Sequence, residues 1–156
     1  MNVKNLNEMQ KEAVLHREGP LLIIAGAGSG KTRAMTYRIA RLMEQGVAPY
    51  NILALTFTNK AAREMQRRVE ELAGSAASEA WIGTFHSICV RILRRDIEKL
   101  GYQRSFAIYD DDDQQRVLKD LFKKSGVDET DLNLKEMKRI IEDAKTRLLD
   151  ADEWFA

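Results

Sequence analysis

The eight residues AGAGSGKT at 25–32 constrain this chain more than any other feature of it. They follow PLLIIA (20–25), an apolar run without alternation, which predicts a strand buried on both faces. They open a segment in which Met35, Ile39, Leu42 and Met43 share one face, which predicts a helix over about 31–45. Strand, glycine-rich turn and helix, in that order, are the context a P-loop requires. Glycine tolerates positive φ, so successive backbone N–H groups can turn inward around an anion. The helix N-terminus adds a partial positive charge to the same place. With Gly30-Lys31-Thr32 at the correct spacing, Lys31 is placed to reach the β- and γ-phosphates of a nucleoside triphosphate. The Thr32 hydroxyl is placed to ligate Mg²⁺, and Lys31 and Thr32 are the candidate catalytic residues. Ala25 stands where the general pattern has its first glycine, which leaves the phosphate-facing positions intact. The predicted phosphate-binding set is Ala25, Gly26, Ala27, Gly28, Ser29, Gly30, Lys31, Thr32 and Arg33.

The same alternation continues along the chain. ILALTF (52–57) reads as a second buried strand, followed by a helix over about 60–73 with Ala61, Met65, Val69 and Leu72 inward. WIGTF (81–85) reads as a third strand, entering a helix with Ile88, Cys89, Ile92, Leu93 and Ile97 inward, and FAIYD (106–110) as a fourth. Strands alternating with helices predict an α/β fold, a parallel sheet with helices on both faces. Upstream, about 7–16 is amphipathic and opens at Asn7 with Gln10 three residues on, the spacing of a capping box. After 110 the pattern changes to helical stretches at 112–124 and 134–149, and DADEWFA reads as the start of one more. This places a boundary near 110, between an α/β domain (1–110) and the beginning of an all-helical subdomain (111–156).

Composition excludes several classes. One cysteine, Cys89, rules out a disulfide scaffold and suits a reducing cytoplasm. No apolar run of about 18 residues is present to span a membrane. The polar start MNVKNLNEMQKEAV lacks the plan of a signal peptide. The net charge of +1 hides an asymmetry: residues 1–105 hold 16 basic against 10 acidic residues, and 106–156 hold 9 against 14. A basic N-terminal part fits a polyanionic partner such as nucleotide or nucleic acid.

Triphosphate hydrolysis also needs an acid at the end of a neighbouring strand. The local candidates are Asp110 and Asp111. Four consecutive acids at a helix start are explained by the helix dipole, with Asp112 as cap and Gln115 three residues on. On that reading the catalytic acid lies elsewhere.

LNEMQKEAV, AGAGSGKT, LTFTNKAAREM (55–65) and WIGTFHSICVRILRR (81–95) together resemble the N-terminal motor of superfamily I DNA helicases of the UvrD/Rep/PcrA type. The blocks stand in the family's order and spacing, and TFTNKAA followed by TFHS is highly specific. The resemblance implies a RecA-like P-loop NTPase domain (1A) running into subdomain 1B. It implies ATP and Mg²⁺ as cofactors, and 3′ to 5′ movement on single-stranded DNA and single-strand/duplex junctions in repair or replication. It further implies that the family's Walker B motif, motif III and second RecA-like domain lie beyond residue 156. A cytoplasmic, monomeric motor is the corresponding expectation.

Residue by residue, Gln10 resembles the glutamine that reads the adenine edge, and reads equally as a capping-box side chain. Arg38 matches an arginine that packs on the adenine face. Phe57 matches an aromatic that stacks on an unpaired base, and also suits the last core position of its strand. Thr58 and Asn59 suit phosphate contacts or a helix cap. Thr84 and His86 match the second DNA-contact motif, or a turn at a helix start. Arg67 and Arg68 are explained by i,i+4 pairs with Glu71 and Glu64. Arg91, Arg94 and Arg95 cluster opposite an apolar stripe, with Glu98 as the nearby acid, and make a candidate phosphate-contacting face. Two other classes stay open on sequence: a complete small P-loop NTPase or kinase using Asp110 or Asp111, and a non-catalytic nucleic-acid-binding module.

Overall fold

The structure, a computed structural model, describes residues 3–126 and 133–155. The chain divides into two compact units, Met1–Arg104 and Ser105–Ala156.

In the first unit two short strands lie side by side and parallel, β1 (Leu53–Thr56) and β2 (Trp81–Thr84). Their register runs from Leu53 opposite Trp81 to Thr56 opposite Thr84. Parallel neighbours require a long crossover. Here it is α3 (Asn59–Ala73) followed by a 3₁₀ turn, Ser75–Glu79. Upstream stand α1 (Glu8–Leu15) and α2 (Lys31–Glu44), and β2 runs directly into α4 (Phe85–Asp96).

The core shows why the strands sit where they do. Ile52 and Ala54 meet Ile39 of α2 and Met65 and Val69 of α3, closed below by Ala77 and Ala80. Val69 is wholly buried, so truncating it would leave a cavity at the α3–sheet contact. This packing fixes the ends of both strands and the start of α2, from which the site is built.

Several expectations need correction. Residues 20–25 form no strand, and Leu22 (82% exposed) and Ile24 (89%) face solvent. A strand buried on both faces needs a ladder alongside and helices above and below, and the sheet among the described residues has two strands only. The second strand is likewise buried on one face: Ala54 points into the core while Leu53 and Phe57 are exposed. Residues 106–110 are not a strand either. On α2 the buried positions are Ala34, Thr36, Ile39 and Ala40, with Met35 outward, because α1 packs beside α3 against this helix. On α4 only Ile88 is buried, with Ile97 beyond its end, while Cys89, Ile92 and Leu93 are exposed. The apolar stripe of that helix is wider than the strand it covers.

The second unit is helical: α5 (Asp111–Lys124), α6 (Leu134–Thr146) and α7 (Ala151–Phe155). The cap of α5 is Asp110, not Asp112. Its carboxylate accepts from Asp113 N–H at 2.9 Å, and Asp113 answers at Asp110 N–H. Asp110 is the extended residue immediately before α5, the position where the cap geometry is available.

Candidate functional site

The glycine-rich loop, the candidate phosphate site, is built on the start of α2. Its N-cap is Gly30 at φ 88°, and no side chain of that cap occupies the first N–H groups of α2. Gly28 is also left-handed, at φ 75°. Within the loop the Ser29 hydroxyl donates to the Gly26 carbonyl at 2.7 Å. Lys31 arches over the same turn, and its ammonium donates to the carbonyls of Ala25 (2.6 Å) and Gly26 (2.7 Å). The cation is thus held above the loop by two neutral carbonyls, partners that a phosphate oxygen outcompetes because its bond to an ammonium is charge-assisted on both sides. Thr32 is exposed at the first turn of α2, beside Arg33, which lies 5.8 Å from the Tyr37 ring centroid.

Helix α1 forms the other wall. Asn7 caps it, accepting from Gln10 N–H at 2.9 Å, while Gln10 Oε1 accepts from Asn7 N–H at 3.2 Å. The remaining amide hydrogens of Gln10 reach across to the loop, where Nε2 donates to the Ser29 carbonyl at 3.0 Å. Gln10 is therefore a capping-box residue and a loop contact together. Arg38 closes the far end of α1, with Nη1 donating to the carbonyls of Ala13 (2.9 Å) and His16 (2.7 Å). These are carbonyls that a helix C-terminus leaves without intrahelical partners. Between α1, residues 21–25 and the loop lies a cavity of about 310 Å³ lined by Gln10, His16, Ser29 and Lys31 among others. That volume is at the small end for a ligand pocket.

Thr32 offers an exposed hydroxyl at the start of α2, and no group of three or more His, Cys, Asp or Glu among the described residues could hold a metal by itself. Asp110 and Asp111 are otherwise engaged, the first as the α5 cap and the second paired with Lys138 at 2.6 Å.

A second group gathers where the two strands end. Phe57 follows β1 and is 93% exposed; Phe85 follows β2 and is 52% exposed. Their ring centroids are 6.2 Å apart, tilted by 50°. Thr58 caps α3, accepting from Ala61 N–H at 3.1 Å, and Asn59 is the first residue of that helix. Thr84 is buried and caps α4 in a reciprocal box with Ser87, and His86 is exposed on the first turn. Phe85 escaped the sequence reading. Its signal was available, since both strands end in Thr-Phe.

The arginines are placed elsewhere. Arg91 lies 4.1 Å from the ring centroid of Trp81, the residue that opens β2, and Arg95 lies 5.8 Å from it. Arg95 also pairs with Asp96 at 2.6 Å, and Arg94 donates to the Arg104 carbonyl. Glu98 pairs with Arg104 at 2.8 Å, so Asp96 is the acid beside the cluster. Hydrogen bonds from Lys99 and Arg95 hold the Asp96 carboxyl below the usual carboxylate range. Helix α4 runs back from Phe85, so these arginines sit at the opposite end of β2 from Phe57 and Phe85. Arg67–Glu71 and Arg68–Glu64 form the expected helix pairs.

Residues 6–155 match the family described as the UvrD/REP helicase N-terminal domain. The chain is 60% identical over 127 residues to an ATP-dependent DNA helicase PcrA of Staphylococcus epidermidis, covering 81% of this chain and 17% of that protein. It is 52% identical over 153 residues to the protein of that name from Bacillus subtilis, covering 97% of this chain and 21% of the relative. A Staphylococcus aureus PcrA is 57% identical over 127 residues, 81% of this chain and 17% of its own length. The chain thus spans about a fifth of the length of these relatives. A glycine-rich loop with its lysine arched over it, a glutamine tying α1 to that loop and a Thr-Phe step where each strand ends stand in the stretch covered by that match, and the chain belongs to the UvrD/REP helicase N-terminal domain family.

Proposed function

We propose that this chain is the nucleotide-binding part of an ATP-dependent 3′ to 5′ DNA helicase acting on single-stranded DNA in repair or replication. The observation that carries the reading is the phosphate loop on α2, with Lys31 held over it and Gln10 bonded to Ser29, in a chain of this family. In the proposal residues 1–110 belong to a RecA-like domain 1A and 111–156 begin the helical subdomain 1B. ATP enters the cavity between α1 and the loop. Gly26, Ala27, Gly28, Ser29 and Gly30 offer backbone N–H groups to its phosphates, Lys31 moves from the carbonyls to the β- and γ-phosphates, and Thr32 takes a place on Mg²⁺. Gln10 and Arg38 flank the base and Arg33 the phosphates. Phe57, Thr58, Asn59, Thr84 and His86 form the single-strand contact at the C-terminal edge of the sheet. ATP-driven closure against a second RecA-like domain of the same protein moves the strand, with the protein acting as a cytoplasmic monomer. No helix among the described residues is long and apolar enough to cross a membrane.

The test is ATP binding and hydrolysis by this 156-residue chain, with and without single-stranded DNA, beside Lys31→Ala and Asp110→Asn. Binding that Lys31→Ala removes and Asp110→Asn leaves intact, with little turnover, is expected. Robust turnover lost in Asp110→Asn would overturn the reading in favour of a small P-loop kinase. DNA affinity without any ATP binding would overturn it in favour of a plain nucleic-acid-binding module.

A further inference from the structure

We infer that Phe85 is a positioning residue for an unpaired base at Phe57, an inference that rests on the single-strand contact proposed above. The two rings occupy equivalent places. Thr56 and Thr84 are partners in the parallel register, so the aromatic that follows each stands at the same level on adjacent strands. Each then starts a helix segment whose cap is fixed: Thr58 receives Ala61 N–H, and Thr84 and Ser87 cap each other's backbone. The backbones under both rings are therefore held by separate caps, and only the side chains are free to turn.

A base sandwiched between two rings needs them roughly 7 Å apart and parallel, twice the stacking distance of about 3.4 Å. At 6.2 Å and 50° the pair has no such slot. The rings are tilted against each other, with their centroids inside the roughly 4.5–7 Å range of interacting aromatic pairs. Phe85 thus braces one side of Phe57 and leaves the other side of a 93% exposed ring open. An unbraced phenylalanine that exposed samples several rotamers, and a base that stacks on it must first immobilise it. Phe85 selects the orientation beforehand. Only an unpaired base can use the open face, since bases within a duplex are already stacked on both sides.

The experiment measures binding of a fluorescent thymidine homo-oligomer, and of the same strand with abasic sites throughout, to the full chain and its variants. Phe85→Ala is expected to weaken thymidine binding roughly 2- to 10-fold, the cost of ordering one side chain. It should leave the abasic strand unchanged and have no further effect in a Phe57→Ala background. Phe85→Tyr should restore binding and Phe85→Leu should not. ATP affinity, read on the same preparations, should be unaltered throughout, which separates a brace from a folding defect. Equal loss on the abasic strand, equal loss without Phe57, or full binding by Phe85→Leu would overturn the inference. So would loss in Phe57→Ala with none in Phe85→Ala, and that outcome would leave the single-strand contact standing. No thymidine binding by the unsubstituted chain would overturn the contact itself, and the brace with it.

Discussion

The amide nitrogen of Gln10 donates to the carbonyl of Ser29 at 3.0 Å, so the first helix is tied to the glycine-rich loop across nineteen positions of sequence. The oxygen of the same amide closes the cap on Asn7. Gln10→Glu separates the two tasks, because a carboxylate still accepts from Asn7 N–H and cannot donate to Ser29. The expected result is an intact α1 cap with stability lower by about 1 kcal/mol and ATP affinity about 5-fold weaker, each the worth of one neutral hydrogen bond. Calorimetric titration with ATP beside a melting curve checks both halves.

Gly30 is where the loop has least freedom. It holds φ at 88°, and a methyl group built on it would stand 2.5 Å from Gln10 Nε2. Gly30→Ala is expected to cost about 2–3 kcal/mol, the sum of a left-handed non-glycine residue and the displaced Gln10 contact. Gly28→Ala meets the same backbone strain at φ 75° with open space around it, and should cost about 1–2 kcal/mol. Denaturant unfolding of the two variants gives the ranking directly, and a reversed order would refute the role assigned to Gln10.

Arg38 bonds two carbonyls at the end of α1, which a stacked arginine would have no need to do. Arg38→Lys keeps the charge and loses the planar fork. If the clamp sets the position of α1, stability should fall by about 2 kcal/mol together with ATP affinity. A loss of affinity with unchanged stability would instead assign Arg38 to the base alone.

How much of this was legible follows from range. The loop, the caps at Asn7, Thr58 and Thr84, and the arginine pairs on α3 depend on residues three or four apart, and short-range patterns record them. Burial of 20–25 and of the outer face of α4 depends on what lies beside them in space. An apolar run states only that covering is needed, and here Leu22 and Ile24 are left open. The two carbonyl partners of Arg38 were not legible, because they are more than twenty residues away, and the resemblance pointed only to the adenine face. Phe85 was hidden differently: read alone it closes a strand, and only the register of two strands sets it beside Phe57.

Asp96 gives the pH dependence. Its carboxyl is held low by hydrogen bonds from Lys99 and Arg95, so the folded value lies below the unfolded one. The stabilisation is therefore present above the ordinary carboxylate pKa and is lost as pH falls through the lowered value. The Asp96 carboxyl resonance should titrate below the ordinary carboxylate pKa on acidification. In Lys99→Met the midpoint should move back toward the usual range.

Arg91 separates a phosphate contact from an internal one. A side chain that meets a phosphate of single-stranded DNA contributes about 0.7 to the slope of log affinity against log salt. Arg91 instead lies 4.1 Å from the centre of the Trp81 ring, at the end of β2 away from Phe57. Arg91→Ala is expected to leave the salt slope unchanged and to cost about 0.5–1 kcal/mol of stability through the lost cation–π contact. Trp81 fluorescence should shift with it, since the guanidinium is the charge nearest to that ring face. A slope reduced by about 0.7 with unchanged emission would place Arg91 on the DNA and extend the contact along α4.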